Sequence, residues 1–325
     1  MEYRTLGRTG LQVSVMGFGG GGIGGVWGAT TDDECVRAVQ KACDLGINFF
    51  DVAPGYGNGK AEENLGVGLR GRRQEVYVAT KVRLRHSPEV ADAPAAIRVS
   101  VERSLRLLQT DHVDLLQLHN RVRNQRLASD NSLEPEDVVR RGGVQDVFQQ
   151  LRDEGKVRFF GLTGYGDIEA LTHVVEHGWF DTVQIHYNLI HQNSLGTKPF
   201  VQTEWPQPMG MLPLAASFEM GVIGIRSLAA GALTDAVDRP YPEDSELAGD
   251  VRKAHFGLRF LARGPAQTLQ QAAMLFVRMQ ESIHTQVPGF KNAAEVEEAV
   301  ATLEMPPFSE EELAQLDALY ATGFR

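Results

Sequence analysis

Four residues of this 325-residue chain have the types and spacing for proton-coupled carbonyl chemistry. Asp51 ends the run Asn48-Phe49-Phe50-Asp51, and Tyr56 follows in Asp51-Val52-Ala53-Pro54-Gly55-Tyr56-Gly57. Lys81 ends Val76-Tyr77-Val78-Ala79-Thr80-Lys81, and His119 ends Leu115-Leu116-Gln117-Leu118-His119. A tyrosine hydroxyl of pKa about 10 is a poor acid at neutral pH. An adjacent ammonium favours its anion and lowers that pKa. Asp51 is expected to pair with Lys81, keeping it charged and placed. His119 is expected to hydrogen-bond a carbonyl oxygen and share in proton delivery. Such a group polarises a carbonyl and protonates the developing alkoxide. What it lacks is a hydride donor, which proteins take from a cofactor. Singly, each residue has a plainer role as a cap, a loop aromatic, an ion pair or a satisfied core polar group. At the ends of three consecutive strands they point to one site.

The elements that must position these side chains follow from the apolar pattern. Tyr3–Leu6 and Gln12–Val15 read as short strands around Gly7-Arg8-Thr9-Gly10, a hairpin. Strands are then predicted over Val15–Gly19, Ile47–Val52, Glu75–Val82, His112–His119, Val157–Leu162, Thr182–Ile185, Val222–Arg226 and His284–Val287. Helices are predicted over Asp32–Leu45, Lys60–Arg70, Ala93–Leu108, Val144–Glu154, Ile168–Glu176, Leu212–Met220, Gln267–Met279 and Ala293–Leu303. A last helix, Ser309–Tyr320, opens on a capping box formed by Ser309 and Glu312 and is expected on the outside. Counting from Met16 gives eight strand–helix units without a compositional break. Alternation of this kind implies parallel pairing and right-handed crossovers. The expected fold is one (β/α)8 TIM barrel domain over 1–325, with an N-terminal β-hairpin and C-terminal extra helices. An open doubly wound sheet is the alternative. A barrel requires reactive residues at the C-terminal ends of its strands, where all four stand.

Composition sets limits on partners. The chain carries 32 Lys+Arg against 42 Asp+Glu, a net charge of −10, which does not suit nucleic-acid or anionic-membrane binding. An anionic ligand must therefore be held by a local basic or helix-dipole site. Cys35 and Cys43 are the two cysteines, both in one predicted helix, with neither a disulfide framework nor a zinc spacing. No metal-ligand spacing stands out among the histidines. The N-terminus has no apolar signal region, and no apolar run approaches the ~20 residues that span a bilayer. A cytoplasmic location, as monomer or homo-oligomer, is expected. Glycine is in excess at 34 residues. Gly17-Phe18-Gly19-Gly20-Gly21-Gly22 matches the dinucleotide fingerprint G-x-G-x-x-G, but that motif needs its last glycine at a helix start. No helix is predicted before Asp32, so the run reads as a flexible loop above a barrel mouth. Trp27 is either an apolar wall of that mouth or plain loop packing. Trp27 and Asn120 are the candidate substrate contacts.

These residues resemble the aldo-keto reductases. Asp51-Val-Ala-Pro-Gly-Tyr56-Gly, Ala79-Thr80-Lys81 and Leu118-His119 are similar to that family's Asp/Tyr/Lys/His tetrad, and Lys60-Ala-Glu-Glu-Asn-Leu-Gly66 to its segment after the tyrosine. The similarity runs from Tyr3-Arg4-Thr5-Leu6-Gly7 to Val287-Pro288-Gly289. It implies a (β/α)8 barrel and reversible NAD(P)H-dependent carbonyl reduction, with Tyr56 as general acid/base. Aldehydes, ketones or sugar-like aldoses are the implied substrates, in a bacterial sugar-dehydrogenase-like branch. Gln184 matches the family glutamine on the nicotinamide carboxamide. Thr163 and Gly164 stand where the family usually has a Ser-Asn pair. Tyr187 packs near the site or fills the barrel mouth. Arg226 replaces the aromatic that stacks on nicotinamide; it stacks its guanidinium, contacts a phosphate or forms a structural ion pair. Ser227, Leu228 and Gly231 are pyrophosphate-side candidates, and the loop Ala230–Gly264 is expected to help hold the cofactor. Pro288, Gly289 and Lys291 precede a predicted helix that matches the segment for the adenosine 2′-phosphate, alongside Glu298. Glu295 lies where NADP-selective members carry Arg, which weakens strict selectivity; NADP is favoured and NAD remains open. A cofactor-binding regulatory subunit and a barrel lyase using Lys81 as a Schiff base are the other readings.

Overall fold

The computed structural model describes residues 1–324 apart from 128, 202, 204–206, 236 and 238. Tyr3–Thr5 (β1) and Gln12–Ser14 (β2) pair antiparallel as the expected hairpin. Eight further strands form one parallel sheet in chain order: Phe18–Gly19 (β3), Phe49–Asp51 (β4), Tyr77–Val82 (β5), Val113–Leu118 (β6), Val157–Thr163 (β7), Thr182–His186 (β8), Gly221–Ile225 (β9) and Thr285–Gln286 (β10). Parallel bridges from Met16 to Gln286 and from Gly19 to Gly289 join the first strand to the last, so the sheet curls into a nearly closed barrel.

Helices carry the chain back between strands. They are Asp32–Asp44 (α1), Lys60–Gly68 (α2), His86–Ala91 (α3), Ala93–Leu108 (α4), Pro135–Val139 (α5), Val144–Asp153 (α6), Ile168–Glu176 (α7), Met211–Ser217 (α8), Glu246–Arg252 (α9), Leu269–Met279 (α10), Ala293–Ala301 (α11) and Glu310–Ala321 (α12). Three of these (α3, α5 and α9) are short insertions in loops that the apolar periodicity leaves unassigned. The Ser309–Glu312 capping box forms at the start of α12. Tyr320 near its end is buried, and its hydroxyl donates to the carbonyl of Ile190.

Two cores hold this arrangement. The larger lies between strands and helices. The smaller fills the barrel axis with Phe49, Ala79, Leu115, Ile223 and Val287, plugged from below by Leu6, Leu11 and Val13 of the hairpin. Successive strand residues alternate between these cores, because side chains in a strand point to opposite faces. The glycine run departs from the expected flexible loop. Gly17–Gly22 is buried, and it forms the seam of the barrel. A Cβ on Gly19 would lie 2.4 Å from the Val287 carbonyl oxygen, and one on Gly22 would lie 2.0 Å from that of Phe290. The absence of side chains lets the β3 and β10 backbones meet, and it shortens β3 relative to the predicted Val15–Gly19.

Candidate active site

The inward column of each strand continues from the apolar plug into polar residues. Two positions after Phe49, Ala79 and Leu115 come Asp51, Lys81 and Gln117, with Gln184 entering from β8. Lys81 Nζ donates to Asp51 Oδ2 at 2.6 Å and to the Val52 carbonyl at 2.8 Å, and lies 3.4 Å from the Tyr56 hydroxyl. Asp51 Oδ1 accepts from Gln117 Nε2 at 2.7 Å and Gln184 Nε2 at 2.9 Å. A buried carboxylate is tolerable only when it is fully hydrogen-bonded, and here both oxygens are. Tyr56 and His119 meet edge to face, ring centroids 6.3 Å apart. The four predicted residues therefore converge.

Their electrostatics differ from the expectation in two places. Burial of the Tyr56 hydroxyl raises its pKa above the usual phenol value; the Lys81 charge pulls the other way and does not prevail. His119 is pushed down to about 3 by burial, then by the charges of Lys81 and Arg83. It is a neutral imidazole at physiological pH, able to donate a hydrogen bond but not a proton from a ring cation. Burial also opposes the Lys81 charge, yet Asp51 and Tyr56 outweigh it and hold the ammonium above the usual lysine range. With Asp51, the Val52 carbonyl and the Tyr56 hydroxyl around it, the ammonium is placed to act as a charge beside the phenol.

The candidate cofactor residues lie on or after β7, β8, β9 and β10, as far as α11. Thr163 Oγ1 and Ser227 Oγ are buried and have no partner within the described protein. Buried hydroxyls are normally satisfied, so these two fit a polar ligand, Thr163 at the place of the family's Ser-Asn pair and Ser227 at a pyrophosphate-side candidate position. Gly164 keeps its N–H on the Gln184 carbonyl at 2.8 Å. Arg226 has a left-handed backbone (φ 58°) and accepts from Asn188 Nδ2 on its own carbonyl; its guanidinium bonds the Tyr165 hydroxyl. Leu228 and Gly231 follow on the same loop, which includes residues 236 and 238 outside the described set. Pro288 and Gly289 lie on the seam. Trp27 packs against Gly21 and Gly289 and is covered by Arg239, 5.2 Å from its ring centre. At the α11 start, Glu295 accepts from the Lys291 N–H at 2.7 Å and lies 3.6 Å from Lys291 Nζ. Glu298 instead accepts from Gln270 and Gln271 of α10.

Two expectations are corrected by packing. Tyr187 points outward and stacks on Phe276, ring centres 5.3 Å apart, so it neither lines nor fills the mouth. Asn120 is 1% exposed and its amide is committed to the Leu84 N–H, the Leu84 carbonyl and the Asn131 carbonyl. It staples two loops beneath the mouth. Gln117, which holds Asp51, is a site residue that motif spacing does not single out; it shares the inward face of β6 with His119, two positions on. A cluster without a sequence spacing also appears: His191, Glu246 and Asp250 bring ligand-type atoms within 4.8 Å. There His191 Nε2 lies 2.7 Å from Asp250 Oδ2, and the Lys253 ammonium, 3.0 Å from Asp250 Oδ1, supplies the positive charge.

A model described as the Aldo/keto reductase family matches residues 15–321. L-galactose dehydrogenase of Arabidopsis thaliana is 29% identical over 325 residues, 98% of this chain and 94% of the relative. Aldo-keto reductase AKR11C1 from Bacillus halodurans has the same fold, with a TM-score of 0.75 at 24% identity over 98% of this chain and 96% of that one. An aldo-keto reductase from Klebsiella pneumoniae in complex with NADPH gives a TM-score of 0.71 at 24% identity, with the same coverage. Since the family match leaves little more than the hairpin and the last few residues outside it, the chain belongs to the aldo/keto reductase family and is an NAD(P)-dependent oxidoreductase.

Proposed function

We propose that this protein reduces the carbonyl of an aldehyde, ketone or aldose-type sugar and, in reverse, oxidises the alcohol, with NADPH favoured over NADH. The observation that carries the reading is the Asp51–Lys81–Tyr56 chain, 2.6 Å and 3.4 Å between its polar atoms, with His119 edge-on beside the phenol. When bound, the nicotinamide supplies the hydride. Tyr56 gives its hydroxyl proton to the oxygen that becomes an alkoxide. Lys81 steadies the tyrosinate that remains, and Asp51 with its two glutamine donors keeps Lys81 charged and in place. Neutral His119 donates a hydrogen bond to the same oxygen and orients the carbonyl. Because burial raises Tyr56, its proton is present at neutral pH, which favours reduction. Oxidation, which needs the tyrosinate, is expected to gain at alkaline pH.

Thr163, Gln184, Ser227, Leu228, Gly231, Pro288, Gly289 and Lys291 would hold the dinucleotide, with Arg226 beside them. The L-galactose dehydrogenase relative supports a sugar substrate, and the NADPH-bound neighbour supports NADP. Glu295 tempers that preference. Its carboxylate already occupies the α11 N-terminus and pairs with Lys291, so a 2′-phosphate meets a like charge. The preference for NADPH is expected to be shallow.

Two measurements test the reading. Titration with NADPH and NADH, followed by cofactor fluorescence, should show binding of both; binding of neither overturns it. Tyr56→Phe should lower turnover on an aldehyde panel by about 10²–10⁴-fold with cofactor affinity kept. Unchanged turnover removes Tyr56 as the acid, and cofactor binding without turnover by the parent points instead to a binding subunit.

A further inference from the structure

The polar columns at the mouth do not end with the catalytic residues. Arg83 follows Lys81 by two positions and Arg121 follows His119 by two, and residues two apart share a face. Val82 pairs with Leu118, and the His119 N–H donates to the Val82 carbonyl at 2.8 Å, so the next rung sets Arg83 beside His119. The charge of Arg83 is felt at the His119 ring. Asn120, through its three backbone partners, fixes the loop bearing Arg83 to the loop bearing Arg121.

Cationic side chains gather here. Arg121 Nη1 and Arg123 Nε share Asp130 Oδ2 at 3.1 and 2.9 Å, and Arg123 Nη1 lies 3.6 Å from Asp167 Oδ1. Arg83 is solvent-accessible and donates to the Asp130 backbone carbonyl at 3.0 Å; among the described residues it forms no ion pair. Arg83, Arg121 and Arg123 thus gather around Asp130, with Asp167 beside Arg123. Partial burial, then the like charges of Arg121 and Arg85, press on the half-exposed Arg83 guanidinium, and Asp130 only partly relieves them. In a chain of net charge −10, a cluster of guanidiniums next to the acid group is a local exception.

We propose that Arg83, backed by Arg121, forms an anion subsite, so that the preferred substrates are carbonyl compounds bearing a carboxylate or phosphate. With neighbouring strands about 4.8 Å apart, the anion would sit roughly two to four carbons from a carbonyl held at Tyr56 and His119. The inference rests on the carbonyl-reductase reading and adds a substrate class to it.

The test is kcat/KM with NADPH on two matched pairs: glyceraldehyde 3-phosphate against glyceraldehyde, and succinic semialdehyde against its methyl ester. The parent should favour the charged member of at least one pair by about tenfold or more at low salt, mainly through KM. The pair that shows it separates phosphate from carboxylate. Arg83→Met should abolish that preference, Arg83→Lys should keep part of it, and ~1 M salt should erode it in the parent. Cofactor titration checks that each variant is folded. Turnover of the neutral members without any preference for the charged ones overturns the subsite and leaves the reductase reading standing. So does a loss in Arg83→Met that is equal for charged and neutral members. No turnover of any member overturns both.

Discussion

His119 shows how burial decides where a proton can sit. Its type and place beside Lys81 are visible in the chain, but its protonation state depends on desolvation by neighbours that only the fold assembles. The same is true of Tyr56, where a nearby ammonium was expected to win and burial prevails. His119 is pushed to about 3, His186 falls well below its ordinary value through burial and then the charges of His191 and Arg226, and His284 is lowered by burial. Below about pH 6.5 the unfolded chain protonates these rings while the folded protein does not. The unfolded state then binds more protons, so stability is intact above that pH and falls as the pH drops toward the folded values. Melting temperature should therefore be lower at pH 5 than at pH 7.5. His119→Gln should show a smaller drop than the parent, by up to about 2 kcal/mol at pH 5. Parallel pH profiles for the two proteins would refute the neutral buried ring. The kcat profile of the parent should also lack a limb near pH 6.5.

Among the elements, β6 carries the most unforeseen chemistry. Eight strands and the main helices are legible because alternation and helical spacing report which faces are buried. Short insertions such as α3, α5 and α9 are not, since fewer than about two turns leave no period to read. The tetrad is legible because its residue types are unusual at strand ends. Gln117 is not, because a glutamine inside an apolar run looks like an interruption until its register with Lys81 is known. That register places its amide 2.7 Å from Asp51, making it a positioning residue for the Asp51–Lys81 pair. Gln117→Leu should lower kcat by about tenfold, with cofactor affinity retained, as expected for the loss of one hydrogen bond to a charged group. Gln117→Glu sets a second carboxylate against Asp51, and like charges that close raise one of their pKa values. It should introduce an acid limb into the kcat profile that the leucine variant lacks. A loss of melting temperature with kcat and its pH profile unmoved would make Gln117 structural only.

At the scale of the molecule, site and barrel closure depend on the same seam. The β3 loop bears Trp27 and the segment after β10 bears Pro288 and Gly289, and the two meet only because glycines leave room. Gly22 tests this directly. Its backbone is not left-handed, so alanine there suffers no conformational penalty, but the added Cβ would lie 2.0 Å from the Phe290 carbonyl oxygen. Neither group is a flexible side-chain end, so the seam itself must open. Gly25 is the counter-case: its φ is 72°, yet nothing lies within 4 Å of a Cβ there. Gly25→Ala should cost about 1 kcal/mol from backbone strain alone. Gly22→Ala should cost about 3 kcal/mol or more, the range of overpacked cores. It should also weaken NADPH and NADH binding together, because the whole cofactor-side rim shifts rather than one contact. Urea midpoints and fluorescence titration of the two variants measure both effects. Equal destabilisation by the two alanines, or a strained seam with unchanged cofactor affinity, would separate barrel closure from the site. The opposite result would mean that the glycine excess serves closure first and, through closure, the dinucleotide.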